Sequence, residues 1–224
     1  HIGALVVFDD VFIPWENVFM CGEVEYTGRL LDLFVRYHRM ATGGCKAGLC
    51  DVITGTVAQI TKYNGVSKAS HIKDKIIEIV CLAETAFSCS IAAATMGEST
   101  EDGNYIPNGL LASVGKLNAA EAISKSLTIL GEISGALAAT APSVLDLQSP
   151  EIGPVIKKYL CGVEGVTCED RIRMFRLVNN LLFGVQELVA THGGGSPQAQ
   201  KMAIYAQSQL KNKAAVAKRL AGIE

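Results

Sequence analysis

Apolar residues return at the spacing of an α-helix along most of this chain. From about Thr27, the residues Leu30, Leu31, Phe34, Val35 and His38 form one i, i+3/i+4 stripe. Gly43-Gly44 interrupts it, Leu49, Val52, Ile53 and Val57 resume it, and Asn64-Gly65 offers a C-cap and turn. Ser70 is placed to cap a second helix, whose buried face reads Ile72, Ile76, Ile79, Val80, Ala83 and Phe87 and which runs to about Met96-Gly97. Glu98 to Asn104 is polar and reads as a loop. A third helix is expected from near Pro107, past Leu130, to about Ala139; its Ala, Ser and Gly content permits close approach of a second helix or a cofactor. Residues 140–150 hold two prolines and Asp146 and read as a loop, and Glu151 to Leu160 as a short helix. Thr167 caps the next helix, with Arg171, Arg173 and Arg176 on a wet side and Ile172, Phe175, Val178, Leu182 and Val185 on a dry side. His192-Gly193-Gly194-Gly195 is a sharp break, after which Ser196-Pro197 opens a last helix, as N-cap and N1, that runs to about Leu220.

Only residues 1–20 read as β. Ala4 to Val7 is apolar, and Pro14 marks a strand edge or end. The expected fold is therefore mainly α: a short strand remnant, then long helices, three of them over about 25 residues or roughly 40 Å. Long helices with short connections imply an antiparallel bundle. The chain opens in what reads as mid-strand, so it is expected to be a piece of a longer protein.

The 22 acidic and 20 basic residues leave a net charge of −2, which does not call for nucleic acid or an anionic membrane as partner. No apolar run is expected to reach the roughly 20 residues that span a bilayer. The seven cysteines are odd in number and scattered, without a C-x-x-C. That suggests a reducing, cytoplasmic setting in which most act as buried small hydrophobes.

The most unusual stretch is Tyr37-His38-Arg39-Met40-Ala41-Thr42-Gly43-Gly44-Cys45-Lys46. His38 and Cys45 are two helical turns apart and share a face, with Cα atoms about 10 Å from each other. That is too far for one small ion but within reach of an extended iron–sulfur cluster. Gly43-Gly44 leaves room for a bulky inorganic group, and Lys46 favours negative charge beside it. The same residues also read as ordinary core side chains around a kink. The chain has too few suitably spaced cysteines to complete a four-ligand cluster alone. Two further places could meet a phosphate-bearing cofactor, the turn at Gly194 before the last helix and Asn64-Gly65 with Lys62, Lys68, His71 and Lys73; a third candidate is the small-residue patch Glu132 to Ala136 around Gly135. Each reads equally as a turn or a packing contact.

Val7 to Phe19 resembles the strand that leaves the middle β domain in flavin enzymes of the 4-hydroxyphenylacetate 3-hydroxylase/4-hydroxybutyryl-CoA dehydratase superfamily. Tyr37-His38-Arg39 with Gly43-Gly44-Cys45-Lys46, Tyr63-Asn64-Gly65, Lys68 to Lys75, and His192 to Gln200 resemble its dehydratase/isomerase branch. The resemblance implies a bundle of the acyl-CoA dehydrogenase C-terminal type, with 1–22 the end of a middle β domain and linker and 23–224 the bundle. It implies a homotetramer, FAD at subunit boundaries, and an acyl-CoA substrate. It further implies a [4Fe–4S] cluster held by His38, Cys45 and two cysteines supplied by an N-terminal part. His38, Thr42 and Lys46 become the catalytic candidates, and Asn64, Ser70, Lys73, Gly135 and Gly194 the flavin-binding ones. The implied reaction is dehydration of 4-hydroxybutyryl-CoA to crotonyl-CoA, with isomerisation of vinylacetyl-CoA in the same site. A thioester acidifies the α-proton of such a substrate but not the β-proton. A flavin able to accept an electron would activate the latter, and a cluster iron would assist the departing hydroxyl as a Lewis acid.

One departure matters. The family pattern carries a tyrosine four residues after the ligand histidine, and Thr42 stands there. The acidic residue expected before the glycine turn is also missing, with Glu187 the nearest. The sequence thus points to a paralogue, an isomerase alone or a dehydratase for another hydroxyacyl-CoA. Two other readings compete: a flavin-dependent phenol monooxygenase, which does not need His38 and Cys45, and an oligomerisation bundle inactive in isolation.

Overall fold

The computed structural model describes residues 4–184 and 186–223, with side chains at 186–188 left aside, and nearly all regular structure in it is helical. Helix α1 (Thr27–Tyr63) leads through the turn at Asn64-Gly65 into α2 (Ser70–Thr95). A two-residue hairpin of β1 (Glu98–Ser99) and β2 (Tyr105–Ile106) reverses the chain into α3 (Gly109–Ser134). Short helices α4 (Leu137–Thr140), α5 (Val144–Gln148) and α6 (Gly153–Tyr159) precede α7 (Cys168–Leu182). Then come α8 (Gln186–His192), α9 (Pro197–Gln207) and α10 (Leu210–Leu220).

Three long helices make the frame. Lys75 near the start of α2 pairs with Glu132 near the end of α3, so these two run antiparallel. Arg39 reaches Ser113, and Cys50 meets Ser126, so α1 and α3 run parallel and pack directly on each other, with α2 against both. The core is built from Ile53, Val57 and Ile60 of α1, Ile79 and Ala83 of α2, Ile123 and Leu130 of α3, and Phe175 and Val178 of α7. Small residues let the helices close up as the composition of α3 suggested: a Cβ on Gly115 would lie 3.0 Å from Cys89 Cβ.

Several expectations are corrected. Residues 4–14 form no strand and bend at Asp9-Asp10, where Asp10 turns to φ +49°; short 3-10 turns follow at Trp15–Asn17 and Val24–Tyr26. A strand exists only through pairing, and no partner strand lies within the described residues. Gly43-Gly44 does not break α1; each glycine costs the helix only about 1 kcal/mol, which packing on α2 and α3 offsets. Ala69, extended, occupies the cap position of α2, and Ser70 is its first helical residue. The third helix stops at Ser134 because Gly135 turns to φ +61°. The 140–150 segment contains α5, started by a reciprocal cap between Ser143 and Asp146. The last helix is split by Gln209 at φ +51°. Arg171 is not on the wet side: it donates to Asn64 Oδ1 and to Leu160 O. Of the seven cysteines only Cys50 and Cys168 are buried. Val185 and residues 1–3 of the expected strand lie outside the described residues.

The apolar stripes also point two ways. Leu30, Leu31 and Phe34 of α1, and Val80 and Phe87 of α2, are exposed although their spacing predicted burial. Periodicity marks a face that wants covering and does not say what covers it. By length and composition α2 is long and apolar enough to cross a membrane, contrary to the expectation above; its Ile72, Ile79, Ala83, Ala86 and Ala93 are packed inside the bundle.

Thr167 accepts from the Asp170 backbone as expected of a cap, whereas Ser70 accepts nothing there. Thr167→Ala should therefore cost about 1 kcal/mol in chemical denaturation and Ser70→Ala almost nothing. Equal losses would show that the cap bond is not what distinguishes them.

Candidate active site in the bundle

His38 and Cys45 fall on one side of α1 and line the same pocket, about 300 Å³, with Ala41, Thr42 and Lys46. Its far wall is Val189 of α8 and Gly193 of the turn after it. His38 is half-buried and Cys45 exposed, while Thr42 and Lys46 are buried.

The glycine turn is shaped around the imidazole. Gly194 has φ +74°, and a Cβ there would come within 2.5 Å of His38 Nδ1. Both the left-handed backbone and the absent side chain are thus needed for the ring to lie against the turn. Arg39, the residue after the histidine, donates from Nε to Gly194 O at 3.1 Å and from Nη1 to Ser113 Oγ at 3.1 Å. Gln200 of α9 donates to Gly195 O at 2.9 Å. On the other side Phe34 packs its ring 5.6 Å from that of His38, centroid to centroid.

Thr42 donates its hydroxyl proton to His38 O at 2.7 Å, one turn back, and its oxygen lies 3.5 Å from His38 Nδ1. The hydroxyl is committed to its own helix and touches the ring only as a neighbour. Gly43 and Gly44 divide their work. A Cβ on Gly43 would overlap Ser90 Oγ of α2 and approach Ala86 O to 2.9 Å, so Gly43 serves the helix crossing. Nothing lies within 4 Å of a Cβ on Gly44, so of the expected pair only Gly44 leaves free space.

Three cations converge at the pocket, Lys46 lining it and the other two behind it. Arg39 and Lys46 of α1 are 6% and 8% exposed, and Lys116 of α3 is 0% exposed. Lys116 Nζ donates to Ala190 O, close to the end of α8. Burial pushes the Lys116 ammonium down to about 8, with Lys46 and Arg39 adding repulsion. Burial also lowers Arg39, opposed by Asp32. Neither Lys116 nor Ser113 was legible as part of the site, because they reach it across 74 residues from another helix. The one signal was a lysine set among small and apolar residues in Ala112 to Leu117.

The sign of the Lys116 effect is testable. Below pH 8 the residue is charged both folded and unfolded, and its burial penalty is fully felt. Between about 8 and 10.5 the folded state gives up its proton first, so stability rises with pH. Urea denaturation at pH 7 and pH 10 should show wild type gaining on Lys116→Met by about 3 kcal/mol at most. A gap that does not change with pH would show that the ammonium is not held at a cost.

The remaining cofactor candidates are not in this pocket. Asn64, Ser70, Lys73 and Gly135 lie at the other end of the bundle, where α1 and α3 end and α2 begins. Along α1 that is about 40 Å from His38. Asn64 Oδ1 is already taken by Arg171, at 2.9 and 3.1 Å; Ser70, Lys73 and Gly135 are exposed. Of that set only Gly194 meets the His38 pocket. No group of three or more His, Cys, Asp or Glu side chains suited to a metal occurs among the described residues, so His38 and Cys45 are at most half of a four-ligand site.

A model of the 4-hydroxyphenylacetate 3-hydroxylase C-terminal family matches residues 27–222. The chain belongs to that family. Within it, 39% identity over 99% of the chain links it to the 4-hydroxybutyryl-CoA dehydratase/vinylacetyl-CoA-Δ-isomerase of Clostridium aminobutyricum, of which it covers 48%. The structure of an oxygen-tolerant archaeal 4-hydroxybutyryl-CoA dehydratase from N. maritimus superposes with a TM-score of 0.94 at 44% identity, over 97% of this chain and 44% of that one. The oxygenase component of 4-hydroxyphenylacetate 3-monooxygenase, solved with FAD and 4-hydroxyphenylacetate, shares the fold at a TM-score of 0.86 and 22% identity, over 96% of this chain and 47% of that one. The chain thus spans about half the length of the relatives it matches. The resemblance read from the sequence is to this family and to its dehydratase/isomerase branch.

Proposed function

We propose that this chain is the C-terminal part of an FAD- and [4Fe–4S]-dependent acyl-CoA dehydratase/isomerase. It acts on 4-hydroxybutyryl-CoA or a related hydroxyacyl-CoA and isomerises vinylacetyl-CoA. The observation that carries this reading is the single pocket in which His38, Cys45 and Lys46 meet, walled by a glycine turn shaped to the His38 ring. The relatives at 39% and 44% identity are 4-hydroxybutyryl-CoA dehydratases, which supports the acyl-CoA reaction over the phenol monooxygenase, a likeness of fold at 22% identity.

In this reading His38 and Cys45 are two of four cluster ligands, and two cysteines come from an N-terminal part. When bound, the cluster and the flavin supply Lewis acidity and electron-accepting capacity. Lys46 holds a positive charge at the pocket where negative charge must be carried. Thr42 lies beside the histidine but brings no phenol, which favours isomerisation alone or another hydroxyacyl group. Residues 1–22 then end a middle β domain, and 23–224 form an acyl-CoA dehydrogenase-type bundle. The exposed faces of α1 and α2 meet other subunits of a cytoplasmic homotetramer, and FAD lies at a subunit boundary, where Asn64, Ser70, Lys73 and Gly135 of the far bundle end serve it.

The test is the full-length protein purified without oxygen. It should be brown, with about four irons per chain, and His38→Ala or Cys45→Ser should lose most of that iron while FAD remains. A yellow, iron-free wild type that consumes oxygen with a phenol and reduced flavin would replace this reading by the monooxygenase.

A further inference from the structure

Arg39, Lys46 and Lys116 are each less than a tenth exposed, and among the described residues no carboxylate is bonded to any of them. Asp32, the acid that acts on Arg39 from a distance, is itself paired with Arg36 at 2.9 Å. Like charges buried together cost several kcal/mol unless something anionic joins them. Lys46 opens into the His38–Cys45 pocket. Lys116 does not line it; its ammonium caps the Ala190 carbonyl, one of the last-turn acceptors of α8. Ala190 lies between Val189 and Gly193, both of which wall the pocket. Arg39 holds the same wall four residues later, at Gly194 O.

We propose that Lys116 is a positioning residue of this site: it fixes the α8–glycine wall against His38 and keeps the pocket electropositive for an anionic occupant. This rests on the reading that the occupant is the thiolate-ligated cluster, which carries net negative charge. Lys116 reaches the occupant through the wall and through the field behind Lys46, not by contact.

The experiment uses the full-length holoenzyme and two variants. Lys116→Gln keeps a donor for Ala190 O and removes the charge; Lys116→Met removes both. Iron, FAD and far-ultraviolet dichroism are measured first, then the midpoint potential of the cluster. Both variants should fold and hold iron within twofold of wild type. Both should have a lower potential, because loss of a nearby positive charge favours the oxidised cluster. Only Lys116→Met should also alter the histidine nitrogen coupling in the electron-nuclear spectrum of the reduced cluster. Unchanged potentials in two iron-replete variants would overturn the proposal and leave Lys116 a structural cap. So would loss of iron from both variants with the fold lost, since a merely structural role predicts that. Wild type without iron would instead sink the cluster reading, and shows itself before any variant is compared.

Discussion

Gly43→Ala is expected to lower the stability of this chain by roughly 3 kcal/mol, a fall of about 6–12 °C in Tm. The added methyl would overlap Ser90 Oγ and press on the Ala86 carbonyl, so α1 and α2 must part where they cross. A side chain could rotate away, but a helix carbonyl cannot move without its helix. The matched control is the next residue. Gly44 is also inside α1, and nothing lies within 4 Å of its missing Cβ. Alanine there should be neutral or stabilise by up to about 1 kcal/mol through helix propensity. Thermal melts of the two variants followed by circular dichroism decide the matter. If both alanines behaved alike, the close crossing would not be what Gly43 serves.

Gly194→Ala should strip iron from the full-length protein about tenfold or more while leaving it folded. Two effects add. The left-handed backbone at φ +74° costs a non-glycine residue about 1 kcal/mol, and the methyl would meet His38 Nδ1 at 2.5 Å. The imidazole must leave its place, and a ligand displaced by an ångström no longer meets its metal. Gly103 supplies the control: its φ of +78° is nearly the same, and its missing Cβ faces open space. Gly103→Ala should carry the backbone cost alone and keep its iron. Iron analysis of the two proteins, with melts to match their stabilities, separates strain from contact. Iron retained by Gly194→Ala would remove the turn from the site.

The three long helices, the caps at Thr167 and Ser196 and the glycine break were legible because each rests on contacts within a few residues. The two-helix-turn spacing of His38 and Cys45 was legible for the same reason: a helix fixes which of its own residues share a face. What misled was anything needing a partner. Residues 4–14 have the composition of a strand but pair with no neighbour among the described residues. Leu30, Phe34, Val80 and Phe87 have helical spacing but stay exposed among the described residues. Gly43 looked like room for a cofactor and is filled by the approach of α2.

The sequence by itself determined the helical framework and the pairing of His38 with Cys45 on one face, since both follow from backbone propensity and periodicity. Only the tertiary structure decided what closes the pocket. That Gly194 backs the imidazole, that Arg39 and Lys116 hold the wall at two carbonyls, and that three cations are buried together are facts of distance between segments 70 to 156 residues apart. Burial and charge act through space, and the order of residues along a chain does not carry that space until the helices have packed.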